Sequence, residues 1–187
     1  MEEIWQRIDS WLQANTPHIF ETLQSGASEA QIAELEAILS IKLPEDVKAS
    51  YRIHNGQSIY KEGLFEGREF LSLERIREEW EVWKDLLDAG EFEGYESDPD
   101  VGIRNNWWND KWIPITYDGA GNHDCLDLDP ADGETVGQII TMYHDSGDRE
   151  IVSSSLRAWL QKYADGLESG QIILQDDYGL YGLYPIE

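Results

Sequence analysis

A chain of 187 residues, 41% of them hydrophobic, is long enough to bury one substantial core, and a single domain spanning 1–187 is the expected organisation. With 38 Asp and Glu against 14 Lys and Arg, the formal net charge of −24 repels phosphate backbones and anionic headgroups, which argues against direct nucleic-acid or membrane binding and favours basic proteins as partners. Eight Trp, nine Tyr and four Phe carry too much apolar surface for a disordered acidic segment.

The start, Met1-Glu2-Glu3, lacks the positive region of a secretory signal, and no apolar run reaches the length of a membrane span. Cys125 is the single cysteine, so a cytoplasmic protein without an internal disulfide is expected. Ile4, Ile8, Trp11 and Leu12 recur at helical spacing and predict an amphipathic first helix, broken around residues 15–17. Ser28, with Gln31 three residues later, has capping-box form, and Ile32, Leu35, Ile38 and Leu39 supply the apolar stripe of a second helix. Pro44 stands near the start of a third helix through Val47 and Tyr51, with Asn55-Gly56 as its stop. Residues 64–71 predict a strand or two around Gly67, and Leu73, Ile76, Trp80, Trp83, Leu86 and Leu87 mark a further helix.

Between Ala89 and Lys111 both periodicities vanish. Glu91, Glu93, Glu96, Asp98 and Asp100 alternate there with glycines and a proline, and structureless loops of this length are usually functional or mobile. With Trp107 at its far end, the segment is a candidate partner-facing loop, since tryptophan is enriched among interface hot spots. Strands are predicted over 112–117, 123–129 and 136–143, joined by short connections into an antiparallel meander. Ser153–Ser155 can cap a last helix carrying Leu156, Trp159, Leu160 and Tyr163, and Ile172–Leu174 reads as a terminal strand. The segment 178–184 repeats tyrosines but is too short for a structural repeat. Helices followed by strands give an α+β order, an antiparallel or mixed β-sheet packed against several α-helices.

Trp112 to Pro130, WIPITYDGAGNHDCLDLDP, followed by Gly137-Gln138-Ile139-Ile140, resembles the signature of the Smi1/Knr4 (SUKH) family. Gly26, Ser28, Glu36, Leu43, Pro44, Asn55 and Gly56 match that family's helical opening, and Ser154, Ser155, Trp159 and Leu160 its closing element. Leu156 stands where an aromatic is common, and Gln57 replaces a frequent second glycine; the family-like core runs over approximately 26–160. The resemblance implies a SUKH-type α+β fold and a binding role with no cofactor and no turnover. It also implies structural parts for the motif residues Trp108, Trp112, Pro114, Asp118, Gly121, Asp127, Asp129 and Gly137. Relatives of this kind are bacterial immunity proteins that neutralise co-encoded toxins, many of them nucleases, or fungal regulators of cell-wall glucan synthesis. Because a nuclease toxin is basic where it holds phosphate, the acidic balance favours the first: an intracellular immunity protein that binds a basic toxin domain stoichiometrically. A regulatory adaptor of the cell-wall type is the alternative, set back by the absence of long low-complexity tails.

A hydrolase using Asp118, Asp124, Asp127 or Asp129 is the second alternative. Asp127 and Asp129, two apart on a predicted strand, share a face and invite a metal, but with Asp132 and Gly133 their spacing departs from the EF-hand pattern. Carboxylates that accept loop amides and hold the turn at Pro130 explain them better. His123 and Cys125 share a face too, yet same-strand neighbours about 6 to 7 Å apart are too far for the hydrogen bond that activates a thiol. Gly119 and Gly121 begin a dinucleotide-type pattern that Asp124 breaks; positive φ angles in a hairpin connection account for them.

Overall fold

The computed structural model describes residues 1–58, 62–133, 135–175 and 179–182. In chain order these form α1 (Glu2–Asn15), α2 (Pro17–Phe20), β1 (Leu23–Ser25), α3 (Glu29–Leu39), α4 (Glu45–Tyr51), β2 (His54–Gln57), β3 (Glu69–Phe70) and α5 (Leu73–Asp88). They continue as β4 (Asp98–Pro99), β5 (Trp112–Pro114), β6 (Thr116–Tyr117), β7 (His123–Asp127), β8 (Gln138–Met142), β9 (Asp148–Arg149), β10 (Ile151–Ser153), α6 (Leu156–Ser169), β11 (Ile172–Gln175) and β12 (Gly179–Gly182). This is an α+β architecture in which small sheets, nearly all antiparallel, share one buried core with the helices.

Local chemistry explains most element ends. The capping box closes at α3: Ser28 Oγ accepts the Gln31 amide and the Gln31 side chain accepts the Ser28 amide, while Ser40 ends the helix in the left-handed conformation. Ser72 and Ser155 cap α5 and α6 with the hydroxyl alone, which accepts the amides of Arg75 and Ala158. The third predicted helix stops earlier than expected, at Tyr51, and Asn55-Gly56 lies inside β2. Packing decides this: Gly56 (φ +73°) lies so close to the backbone of Leu71 and Ser72 that a side chain there would collide, and Asn55 Oδ1 accepts the Leu73 amide.

The central sheet has the order β10-β8-β7-β5, antiparallel throughout, with Cys125 opposite both Pro114 and Ile140. All residues of β5, β7 and β8 are buried, because both faces of the sheet are covered. The strand predicted over 112–117 breaks at Ile115. Its first half pairs with β7 and its second, β6, crosses to β3, while the Ile115 amide donates to Asp124 O and its carbonyl accepts the Leu71 amide. The strand predicted over 123–129 ends at Asp127. Trp5, Tyr51, Phe65 and Phe70 form an aromatic knot under α1 and α4, with Trp5 Nε1 donating to Ser50 Oγ at 2.8 Å. β11 and β12 form a hairpin after α6; of the tyrosine-rich segment 178–184, residues 179–182 make up β12 and 178, 183 and 184 lie outside the described residues.

Candidate partner-binding surface

Residues 89–111, expected to be structureless, are held at many points. Phe92 stacks on Trp83 (ring centroids 5.7 Å apart), and Trp83 stacks in turn on buried Trp108 at 6.3 Å. The amide and hydroxyl of Ser97 both donate to Asn105 Oδ1, at 2.9 and 3.1 Å. β4 pairs in parallel with β9, and Asp100 Oδ2 accepts the Ile151 amide at 2.9 Å. The anchors have no regular spacing, and the β4–β9 pair and the Asp100–Ile151 bond reach some 50 residues along the sequence, so neither helical nor strand periodicity records them.

Arg149 holds the segment at two places. Its carbonyl accepts the Asp100 amide at 2.8 Å, and its guanidinium donates to the carbonyls of Trp107 (2.6 Å), Asp148 (2.6 Å) and Ser146 (2.7 Å). The same guanidinium lies over the rings of Trp107 and Trp112, at 5.5 and 5.8 Å. It is fully buried with no carboxylate in ion-pair distance among the described residues, and burial pushes its pKa down.

On this frame Glu91, Glu93, Glu96, Asp98 and Asp100 are all exposed, Asp100 keeping its bond to Ile151, and none makes an ion pair among the described residues. Asp98 stands in register with exposed Asp148 across the β4–β9 pair, two like charges side by side. Among the acids lies an aromatic pair. Tyr95, 59% exposed, packs against half-buried Trp107 with ring centroids 5.1 Å apart, and Val101 close by in sequence is 93% exposed. An apolar centre on a rigid support with a charged surround is the anatomy of a protein interface. Tyr95 and Arg149 escaped sequence reasoning. Tyr95 left a signal, an aromatic inside an acidic run; Arg149, whose partners are carbonyls and rings, left none.

The motif residues sit elsewhere. Trp108, Trp112 and Pro114 are buried. Asp118 Oδ1 accepts the amides of Ala120 and Asn122, so although burial works to raise its pKa these bonds hold it below the usual range. Gly121 (φ +103°) sits in that loop against His144, where a side chain would be strained. Asp127 and Asp129 do not share a strand face, because β7 has ended before Asp129. Asp127, raised by burial, accepts the Asp129 amide and Gln138 Nε2, both at 2.9 Å. Asp129 instead meets Arg104 Nε at 2.9 Å and Asn109 Nδ2 at 3.1 Å. Gly137 donates its amide to Asp127 O.

Asp124 is committed too, to Arg68 Nη1 at 2.7 Å and Thr116 Oγ1 at 2.9 Å. The four aspartates considered for hydrolysis thus each hold their own stretch of chain. Among the described residues no group of three or more His, Cys, Asp and Glu is arranged to bind a metal. His123 donates Nδ1 to Thr116 O at 2.8 Å and is pushed down by burial to about 4, while burial pushes the Cys125 thiol far up. No helix of the described chain is long and apolar enough to cross a membrane.

Comparison with known proteins places these features. The SMI1 / KNR4 family (SUKH-1) model matches residues 26–162. The cell wall biosynthesis/cell cycle regulator smi1 of Schizosaccharomyces pombe is 29% identical, over 95% of this chain and 38% of its own length. For the cell wall assembly regulator SMI1 of Saccharomyces cerevisiae the figures are 25%, 92% and 41%, and for a glucan synthesis regulatory protein of Neurospora crassa 28%, 92% and 39%. The chain therefore spans about two fifths of the length of the curated relatives it matches.

Proposed function

This chain belongs to the SMI1/KNR4 family (SUKH-1), and from that premise we propose that it is a non-catalytic regulatory module that binds a basic protein segment on the Tyr95–Trp107 surface. The relatives are named as regulators of cell-wall assembly and glucan synthesis, and a regulator of that type is the reading they support best; its action in the cytoplasm through protein contacts is part of the proposal. The observation that carries the binding mode is the exposed aromatic pair among five acids that make no ion pair with any described residue. A Lys or Arg of a partner meets both a ring face and a surplus of carboxylates there.

The net charge of −24 favours a second reading, an immunity protein that neutralises a basic toxin domain through the same surface. One experiment tests the surface under both. With a partner recovered by co-purification, replacing Glu91, Glu93, Glu96, Asp98 and Asp100 by their amides slows association about tenfold at low salt and flattens its salt dependence. Trp107→Ala acts mainly on dissociation, by about 2 kcal/mol. Unchanged kinetics in both variants would move the binding face elsewhere. A partner that is a toxin encoded beside this chain would select immunity, and one from a wall-synthesis assembly the regulator.

A further inference from the structure

A cleft of about 780 Å³, within the usual size range of small-molecule sites, opens between α6 and the β7–β8 strands and shares no residue with the acidic aromatic surface. One wall is aromatic: Phe65 packs against Trp159 at 4.6 Å and edge-on against Tyr163 at 4.8 Å, and the Tyr163 hydroxyl is fixed by donation to the Leu64 carbonyl. Opposite lies Arg68, whose Nη1 is held by Asp124 Oδ1 at 2.7 Å; Asp124 is fixed in turn by Thr116 Oγ1 at 2.9 Å. The guanidinium fork is thereby oriented before any ligand arrives.

Two further charges line the same cleft, Glu66 and Lys162. They have opposite signs, yet they stand more than 4 Å apart, and neither makes an ion pair with any described residue. For Lys162 this is unusual in a chain of 38 acids, where Arg7, Lys42, Arg52, Arg75 and Lys84 each meet at least one carboxylate. Glu66 (φ +51°) and Gly67 (φ +70°) are the central residues of a tight turn in which Phe65 and Arg68 exchange backbone hydrogen bonds, and that turn places Glu66 on the cleft. The charges of the lining, Arg68 and Lys162 against Asp124 and Glu66, balance. A ligand with no net charge is not opposed by the field of the acidic chain, and one that carries separated positive and negative ends meets both Glu66 and Lys162.

We infer that this cleft binds a free α-amino acid with an apolar or aromatic side chain, its ammonium at Glu66, its carboxylate at Lys162 and Arg68, and its side chain against the half-buried Val152 and Ile172 beside Trp159. The probe is L-phenylalanine, titrated into the whole chain and followed by backbone amide shifts, with N-acetyl-L-phenylalanine and L-phenylalanine amide as analogues that each lack one charge. L-phenylalanine shifts amides lining the cleft, and each analogue binds at least about tenfold more weakly. Glu66→Gln abolishes the discrimination against the N-acetyl compound, and Lys162→Gln, which leaves Arg68 in place, weakens that against the amide. Both side chains are exposed, so these variants keep the wild-type urea midpoint. The inference is overturned if no cleft amide moves up to about 10 mM L-phenylalanine, a limit corresponding to about −3 kcal/mol, if the shifts lie outside the cleft, or if all three compounds bind alike. The Trp107 and five-amide variants bind L-phenylalanine as wild type does, which separates this site from the protein-binding surface.

Discussion

Strands β7 and β8 and the segment 89–111 are both fixed in shape, by different means. Every residue of the two strands is buried and paired in an unbroken register from His123–Met142 to Asp127–Gln138. The segment exposes its acids and is tied down at separate points, by ring stacking on Trp83, polar staples, a two-residue parallel pair and the guanidinium of Arg149. A ladder inside a core opens only when the molecule does, whereas a stapled segment can open alone. A surface meant for a partner gains from the second arrangement, since it is organised beforehand yet free to adjust.

The strongest challenge to this contrast is Trp112→Ala, which removes a fully buried ring shared by the sheet and Arg149. It is expected to cost about 3 to 5 kcal/mol in urea unfolding. A midpoint within error of wild type would show that the sheet does not depend on that ring.

The next effect is in the pH dependence. His123 is buried against Tyr117, with Glu79 Oε2 4.0 Å from its Nε2, and its folded pKa of about 4 lies below the ordinary 6.5. The unfolded chain therefore binds a proton that the folded one refuses between those values. Stability falls as pH drops from about 6.5 to about 4, by about 3 kcal/mol in total. Burial raises Glu69 and Asp127, so these act in the opposite sense in the carboxylate range. In His123→Gln the loss between pH 6.5 and 4 shrinks; an unaltered pH profile would discount the histidine.

Smaller still is Arg149→Met, expected to cost about 2 kcal/mol because it leaves three carbonyls without their donor. Hydrogen exchange locates the loss: the amides of Asp98 and Asp100 lose protection while those of β7 and β8 keep theirs. Equal loss in both regions would mean that segment and sheet open together.

The sequence reveals these two regions unequally. α3, α5 and α6 announce themselves through caps and apolar stripes, β8 through a bounded apolar run and β7 through the turn residues on either side of it, because those signals are local. β2 is His-Asn-Gly-Gln, polar throughout, and becomes a strand only because β1 and the backbone at Leu71–Ser72 lie beside it. The same holds at the candidate surface. Five carboxylates mark it in the sequence, but Tyr95 meets Trp107 through a fold of the chain, and Arg149 acts on carbonyls, which every residue has.

Cys125 stands at the centre of β7, between β5 and β8, fully buried and with its thiol held protonated by burial. The sheet consequently keeps its own clock. A thiol reagent finds no thiolate to attack until the strand parts from its neighbours, so the pace of labelling measures the lifetime of the closed sheet, one event per molecule. Since this is the sole sulfhydryl of the chain, an opened molecule has no internal thiol with which to cross-link and can return along the path by which it left.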